Sequence, residues 1–304
     1  MLINRYTLNL INQIKFEESN YVLDNNVKKI IQNIADQVGD PEYNRAPAFK
    51  KKKHIKNENF KVTQRIEKTG IDALFNKIRI NLNKITSSSK KTNESFKEDI
   101  AKYIIEIKNE SPNDWSENNK KINKFIIDII CTNHYYSDIL VNIFLMLVND
   151  FELSDLLRDE IETRNGYYNE LEWFDPNDEY DKFCENNKKN EFNRGYTLFL
   201  VNVMKCGVVS IEYIVDMLNK LLGCLNEFIL LDGYKGIVEE ISELFFIVIK
   251  NGMTEIKKNT GWVSLYHDLG KISQYKANDY KSLSNKTVFK FMDINEFILK
   301  KGDK

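Results

Sequence analysis

Two stretches of this chain place side chains where they could do chemistry. Tyr266 to Lys271, YHDLGK, sets the imidazole of His267 directly before the carboxylate of Asp268. Such a step can begin a divalent-metal site, but an ion needs several ligands gathered around it before it is held. The only other histidines are His54 and His134, both far upstream. Lys50 to His54 is an unbroken basic run, Lys50, Lys51, Lys52 and Lys53 followed by the histidine, with Tyr43, Phe49 and Phe60 nearby. It reads either as a solvated tether or as a contact to RNA phosphates, with rings on which unpaired bases could stack. Cys131, Cys184, Cys206 and Cys224 never form a C-x-x-C pair, so free thiols in a reducing compartment are expected rather than zinc or disulfides. No G-x-x-x-x-G-K-[ST] loop and no G-x-S-x-G elbow occurs, so the sequence offers no signal for nucleotide hydrolysis or a serine nucleophile.

The elements that would position these residues are helical. Hydrophobic residues make up 42% of the 304 positions and aromatics 12%, enough for a large core. With only 4 prolines and 12 glycines, there is too little punctuation for a many-stranded sandwich or barrel. Lys+Arg 44 nearly balances Asp+Glu 45, so any attraction to nucleic acid must come from local patches. No run reaches the ~18 apolar residues that span a bilayer, and no leader pattern opens the chain, so a soluble cytoplasmic protein is expected. The richness in Asn, Lys and Ile is that of an AT-rich genome, cellular or viral.

Organisation starts at Ile71 to Thr86, where Ile71, Leu74, Phe75, Ile78, Leu82 and Ile85 follow the recurrence of a one-sided helix. Phe96, Ile100, Tyr103, Ile104 and Ile107 make its partner, ending near Ser111-Pro112. A second pair follows from Ile122 to Ile130 and from Ile139 to Val148, broken at Asn133 to Ser137. The acidic stretch Phe151 to Asn190 should be helical to about Arg164 and a loop around Trp173 to Asp178. Tyr196–Lys205 with Ile211–Leu222 makes a third pair, Leu225–Leu231 with Ile237–Ile249 a fourth, and Trp262–Tyr275 with Val288–Leu299 a fifth. Five pairs at roughly 40-residue spacing predict an all-α chain forming an α-solenoid. The expected domains are an N-terminal arm over 1–39, a basic linker over 40–68 and the helical array over 69–304. Within the arm, Tyr21 to Val38 predicts a helix with Val27, Ile30, Ile31 and Ile34 on one side, stopped by Gly39 and Pro41.

Several of these stretches together resemble a known family. Leu74 to Thr86, LFNKIRINLNKIT, is similar to the opening helix of the middle domain of eukaryotic translation initiation factor 4 gamma. Ile122 to Tyr136, INKFIIDIICTNHYY, looks like its second repeat, Asn193 to Leu222 like its third, and Leu283 to Ile298 like its closing helix. The ordered set covers about Thr69 to Ile298. The resemblance implies a HEAT-type scaffold that has no cofactor, holds a DEAD-box RNA helicase and contacts RNA. It places the helicase interface at Asn83 and Lys84, to which the turn residue Tyr136 is added here. The run Thr86 to Thr92 departs from the proline-led turn of the family. In the arm, Arg5, Tyr6, Leu10, Ile11, Ile14 and Phe16 are similar to the segment by which these scaffolds hold the cap-binding protein. Ile11 takes the leucine place, and Asn12 stands where a second apolar residue belongs.

The reading is therefore a non-catalytic translation-initiation scaffold. Its arm would hold a cap-binding protein, its linker would touch RNA, and its array would clamp the helicase. Two other classes compete: an HD-type metal-dependent phosphohydrolase built on His267-Asp268, and a general helical adaptor unrelated to translation.

Overall fold

The computed structural model describes residues 22–38, 69–87 and 91–302. The chain divides into two units, Met1–Arg65 and Ile66–Lys304. The candidate cap-binding-protein contacts from Arg5 to Phe16 and the basic residues Lys50 to Lys53 lie outside the described residues. In the first unit, α1 (Asn25–Val38) begins where the Asp24 carboxylate accepts from the Asn26 N–H at 2.7 Å, an anion at the positive end of the helix. Val27, Ile30, Ile31 and Ile34 share a face of α1, and all four are exposed.

The second unit is built from α2 (Ile71–Asn83), α3 (Asn93–Glu110), α4 (Trp115–Thr132), α5 (Ser137–Asp150), α6 (Ser154–Thr163), α7 (Tyr180–Lys205), α8 (Ile211–Phe228), α9 (Lys235–Ile256), α10 (Trp262–Ile272) and α11 (Asn285–Gly302). No strand occurs among the described residues. The helices pack in chain order as one continuous rank and a second, discontinuous set laid on it. In the first rank α2 touches α4, α4 touches α7, α7 touches α9 and α9 touches α11. In the second, α3 lies on α2 and against α5, α5 lies on α4, α8 lies on α7 and α9, and α10 lies on α11, while α6 bridges α4 and α5.

Several helices of the second unit bury the stripe their sequence announces. α3 starts at Thr92, whose hydroxyl accepts from the Ser95 N–H at 3.2 Å, and sinks Phe96, Ile100, Ile104 and Ile107 at helical spacing. α8 starts the same way at Ser210, which accepts from Tyr213 at 3.1 Å. α2 stops at Asn83 rather than running to Thr86, yet Ile85 just beyond it is still buried.

Two expectations need correction. The expected separate helix Leu225–Leu231 does not exist: α8 runs unbroken through Gly223 to Phe228, so α9 shares α8 with α7 instead of having its own partner. The helix expected over Tyr196–Lys205 begins sixteen residues earlier, at Tyr180. Its first half buries Asn186, Asn190 and Asn193 on the inner face, so no apolar period announces it. Of these side chains, that of Asn186 donates from Nδ2 to the Glu172 carbonyl at 2.7 Å.

The irregular segment 171–179 is fastened from both sides. Asn186 holds its backbone, and the Trp173 indole rests on Gly236 near the start of α9, where a Cβ would come within 1.7 Å of the ring. Trp173 is half-exposed, so Trp173→Ala should cost only about 1 kcal/mol of global stability. The same change should still speed limited proteolysis within 171–179 several-fold, because the segment loses its anchor. Gly236→Ala, which evicts the indole, should reproduce that cleavage pattern.

Candidate docking edge

Three first-rank helices and the turns beside them are tied together along one edge of the array. α2 ends at Asn83, where the Lys84 N–H reaches the Asn81 carbonyl at 3.1 Å and the Ile85 N–H the Leu82 carbonyl at 3.2 Å. α4 ends at Thr132, and in the next residue Asn133 Nδ2 donates to Asn83 Oδ1 at 2.8 Å. The chain then makes a 3-10 turn, His134–Tyr136, closed by the Tyr136 N–H on the Asn133 carbonyl at 3.1 Å. Ser137, buried at the start of α5, accepts from Asn202 of α7 at 3.1 Å. Helix ends fixed by side-chain bonds of this kind give a partner a pre-ordered surface.

Asn83 and Lys84 are both exposed on this edge, and Tyr136 belongs to the neighbouring turn, so the three sequence-predicted helicase contacts lie on one stretch of surface. Within the turn the free ring is a different one. Tyr136 is half-buried against the core, whereas Tyr135 is 84% exposed and stacks on His134, with centroids 4.6 Å apart and planes at 28°. The sequence signal for Tyr135 was present in the pair of tyrosines at a helix break, but only the turn geometry decides which one points outward.

Beside Tyr135 lies a groove of about 550 Å³, walled by the turn residues His134 and Tyr135, by Asn187, Glu191 and Arg194 of α7, and by Ile247 of α9. Arg194 is fixed by a two-point pair to Glu240 of α9: its Nε donates to Oε1 at 2.7 Å and its Nη2 to Oε2. Glu240 is buried, and burial pushes its carboxyl above the ordinary carboxylate range against the pull of the guanidinium. A planar guanidinium so held is pre-oriented rather than free to search. No protein-family model matches this chain, and no curated protein matches it.

The other sequence candidate does not assemble. His267 is exposed on α10, and Asp268 pairs with Lys271 one turn along the same helix at 3.1 Å. Among the described residues no third ligand joins them, and no group of three His, Cys, Asp or Glu side chains could hold a metal ion. Cys131 is buried, and burial pushes its thiol strongly upward, the opposite of a reactive thiolate. No described helix is long and apolar enough to cross a membrane.

Proposed function

We propose that this chain is a non-catalytic scaffold of translation initiation: a cytoplasmic protein whose array of HEAT type grips a DEAD-box RNA helicase along the edge that carries Asn83, Lys84 and the His134–Tyr136 turn. The observation that supports it best is the bond between Asn133 and Asn83, which ties the end of α2, where the resemblance puts the helicase contacts, to the turn that carries Tyr136. The packing in chain order suits a HEAT-type solenoid, where each unit buries its face against the next. On this reading the protein works by holding the helicase in its closed arrangement. The arm residues Arg5, Tyr6, Leu10, Ile11, Ile14 and Phe16 would hold a cap-binding protein, and Lys50 to Lys53 would touch RNA. Together they would raise the effective concentration of the helicase near the messenger cap.

The test is a pulldown of a purified DEAD-box helicase with the full chain carrying Asn83→Asp and Lys84→Glu. The introduced aspartate keeps an oxygen for Asn133 to bond, so thermal unfolding should stay within about a degree or two, while helicase affinity should fall at least about tenfold. Unchanged capture would sink the scaffold reading and leave a general helical adaptor. Metal-stimulated phosphohydrolase activity lost in His267→Ala would instead favour the enzyme reading.

A further inference from the structure

We infer that the groove beside Tyr135 receives an arginine side chain of the docked partner. The inference rests on the edge being a protein-docking surface, as proposed above, and adds the chemistry of what is docked there. It comes from a charge balance. Three carboxylates, Glu191, Glu240 and Glu243, act electrostatically on the guanidinium of Arg194, and only Glu240 touches it. Glu240 takes Arg194 in the two-point pair, and Glu243 takes Lys290 at 3.0 Å. Glu191 is exposed in the groove wall, and no ion pair reaches it among the described residues. One unmatched negative charge therefore faces the groove. The same groove is lined by the exposed Tyr135 ring, stacked on His134, and by the exposed amide of Asn187.

An aromatic face beside an unmatched carboxylate suits a guanidinium better than an ammonium. The planar cation can lie on the ring while its fork of donors meets the carboxylate and an amide oxygen. Lys would meet the charge without the stacking. Arg194 does not fill the role itself, because its own fork is committed to Glu240. Electrostatics then predicts that the partner presents a basic, not an acidic, loop to this part of the edge.

The experiment titrates N-acetyl-arginine amide into the full chain and follows saturation-transfer difference NMR, with N-acetyl-lysine amide and N-acetyl-norleucine amide as comparisons. The expected result is saturable arginine binding with a dissociation constant on the order of millimolar. Glu191→Gln and Tyr135→Ala should each weaken it by about fivefold or more, with thermal unfolding unchanged because both side chains are exposed. Glu162→Gln, away from the groove, should leave it intact. Lysine amide binding as tightly as arginine amide, or arginine binding that ignores Glu191→Gln, would overturn the inference, as would no saturable binding. Since Asn83→Asp and Lys84→Glu lie outside the groove, loss of helicase capture in that variant with arginine binding intact separates the two claims.

Discussion

Gly195→Ala should cost the array about 3 kcal/mol, although alanine is the better helix former by about 1 kcal/mol. The reason is where α7 passes α4. A Cβ placed on Gly195 would lie 1.8 Å from the Cys131 carbonyl oxygen and 2.6 Å from its carbon, both backbone atoms. Backbone cannot swing aside as a side-chain tip would, so the two helices must part. That separation loosens the contact between the two helices that carry the turn and the groove wall. Thermal unfolding of the purified chain measures it, and a drop of several degrees is expected; a variant as stable as the wild type would show that α4 and α7 are not packed this closely. Helicase affinity should fall with stability, because the edge is assembled from those helix ends.

Arg194→Ala should destabilise the chain by about 2 kcal/mol at neutral pH, and the deficit should shrink in acid. Losing one member of a buried pair commonly costs about 3–5 kcal/mol, and the half-exposed arginine side chain lowers that expectation. The sign of the pH effect follows from Glu240. Its folded-state affinity for a proton is already above the unfolded one because burial outweighs the pull of Arg194 and the weaker pull of Lys286. A group held above its unfolded value contributes stability that is present in full below that value and lost as pH rises through the folded value. Removing the guanidinium lifts the folded value further, so the difference between variant and wild type is greatest at neutral pH. The difference narrows as pH falls through the raised folded values of Glu240 towards the ordinary carboxylate value. Denaturant unfolding of both proteins across about pH 4 to 8 checks this; a deficit that grows in acid would place the destabilisation elsewhere. The companion Glu240→Gln should show a smaller loss with little pH dependence.

How far the sequence carries the account differs from helix to helix. α2, α3, α4 and α5 were legible because Ile and Leu recur at helical spacing and polar breaks separate them. α7 was half-legible: its second half, Tyr196 to Lys205, has the apolar stripe, while its first half buries asparagines in place of apolar residues, one of them, Asn186, held by the Glu172 carbonyl of the preceding loop. The break expected between Leu222 and Leu225 falls at Gly223, and α8 simply continues through it. At the edge, Asn83 and Lys84 were found through resemblance, and nothing local would have joined them to Asn133, fifty residues away. The Arg194–Glu240 pair spans 46 positions and carries no sequence signal of its own. Likewise His267-Asp268 was legible as a motif, and among the described residues the fold brings no third ligand to it.

The central claim, that the helicase is gripped on the edge formed by the ends of α2 and α4, is tested most directly by a hydrogen-exchange footprint. Backbone amide exchange of the full chain would be compared with and without a saturating purified DEAD-box helicase. The account predicts slowed exchange in peptides covering 81–87, 133–138 and 187–194, with the peptides of 206–213 on the α7–α8 turn unchanged. Protection confined to 206–213, or none anywhere in the second unit, would contradict it.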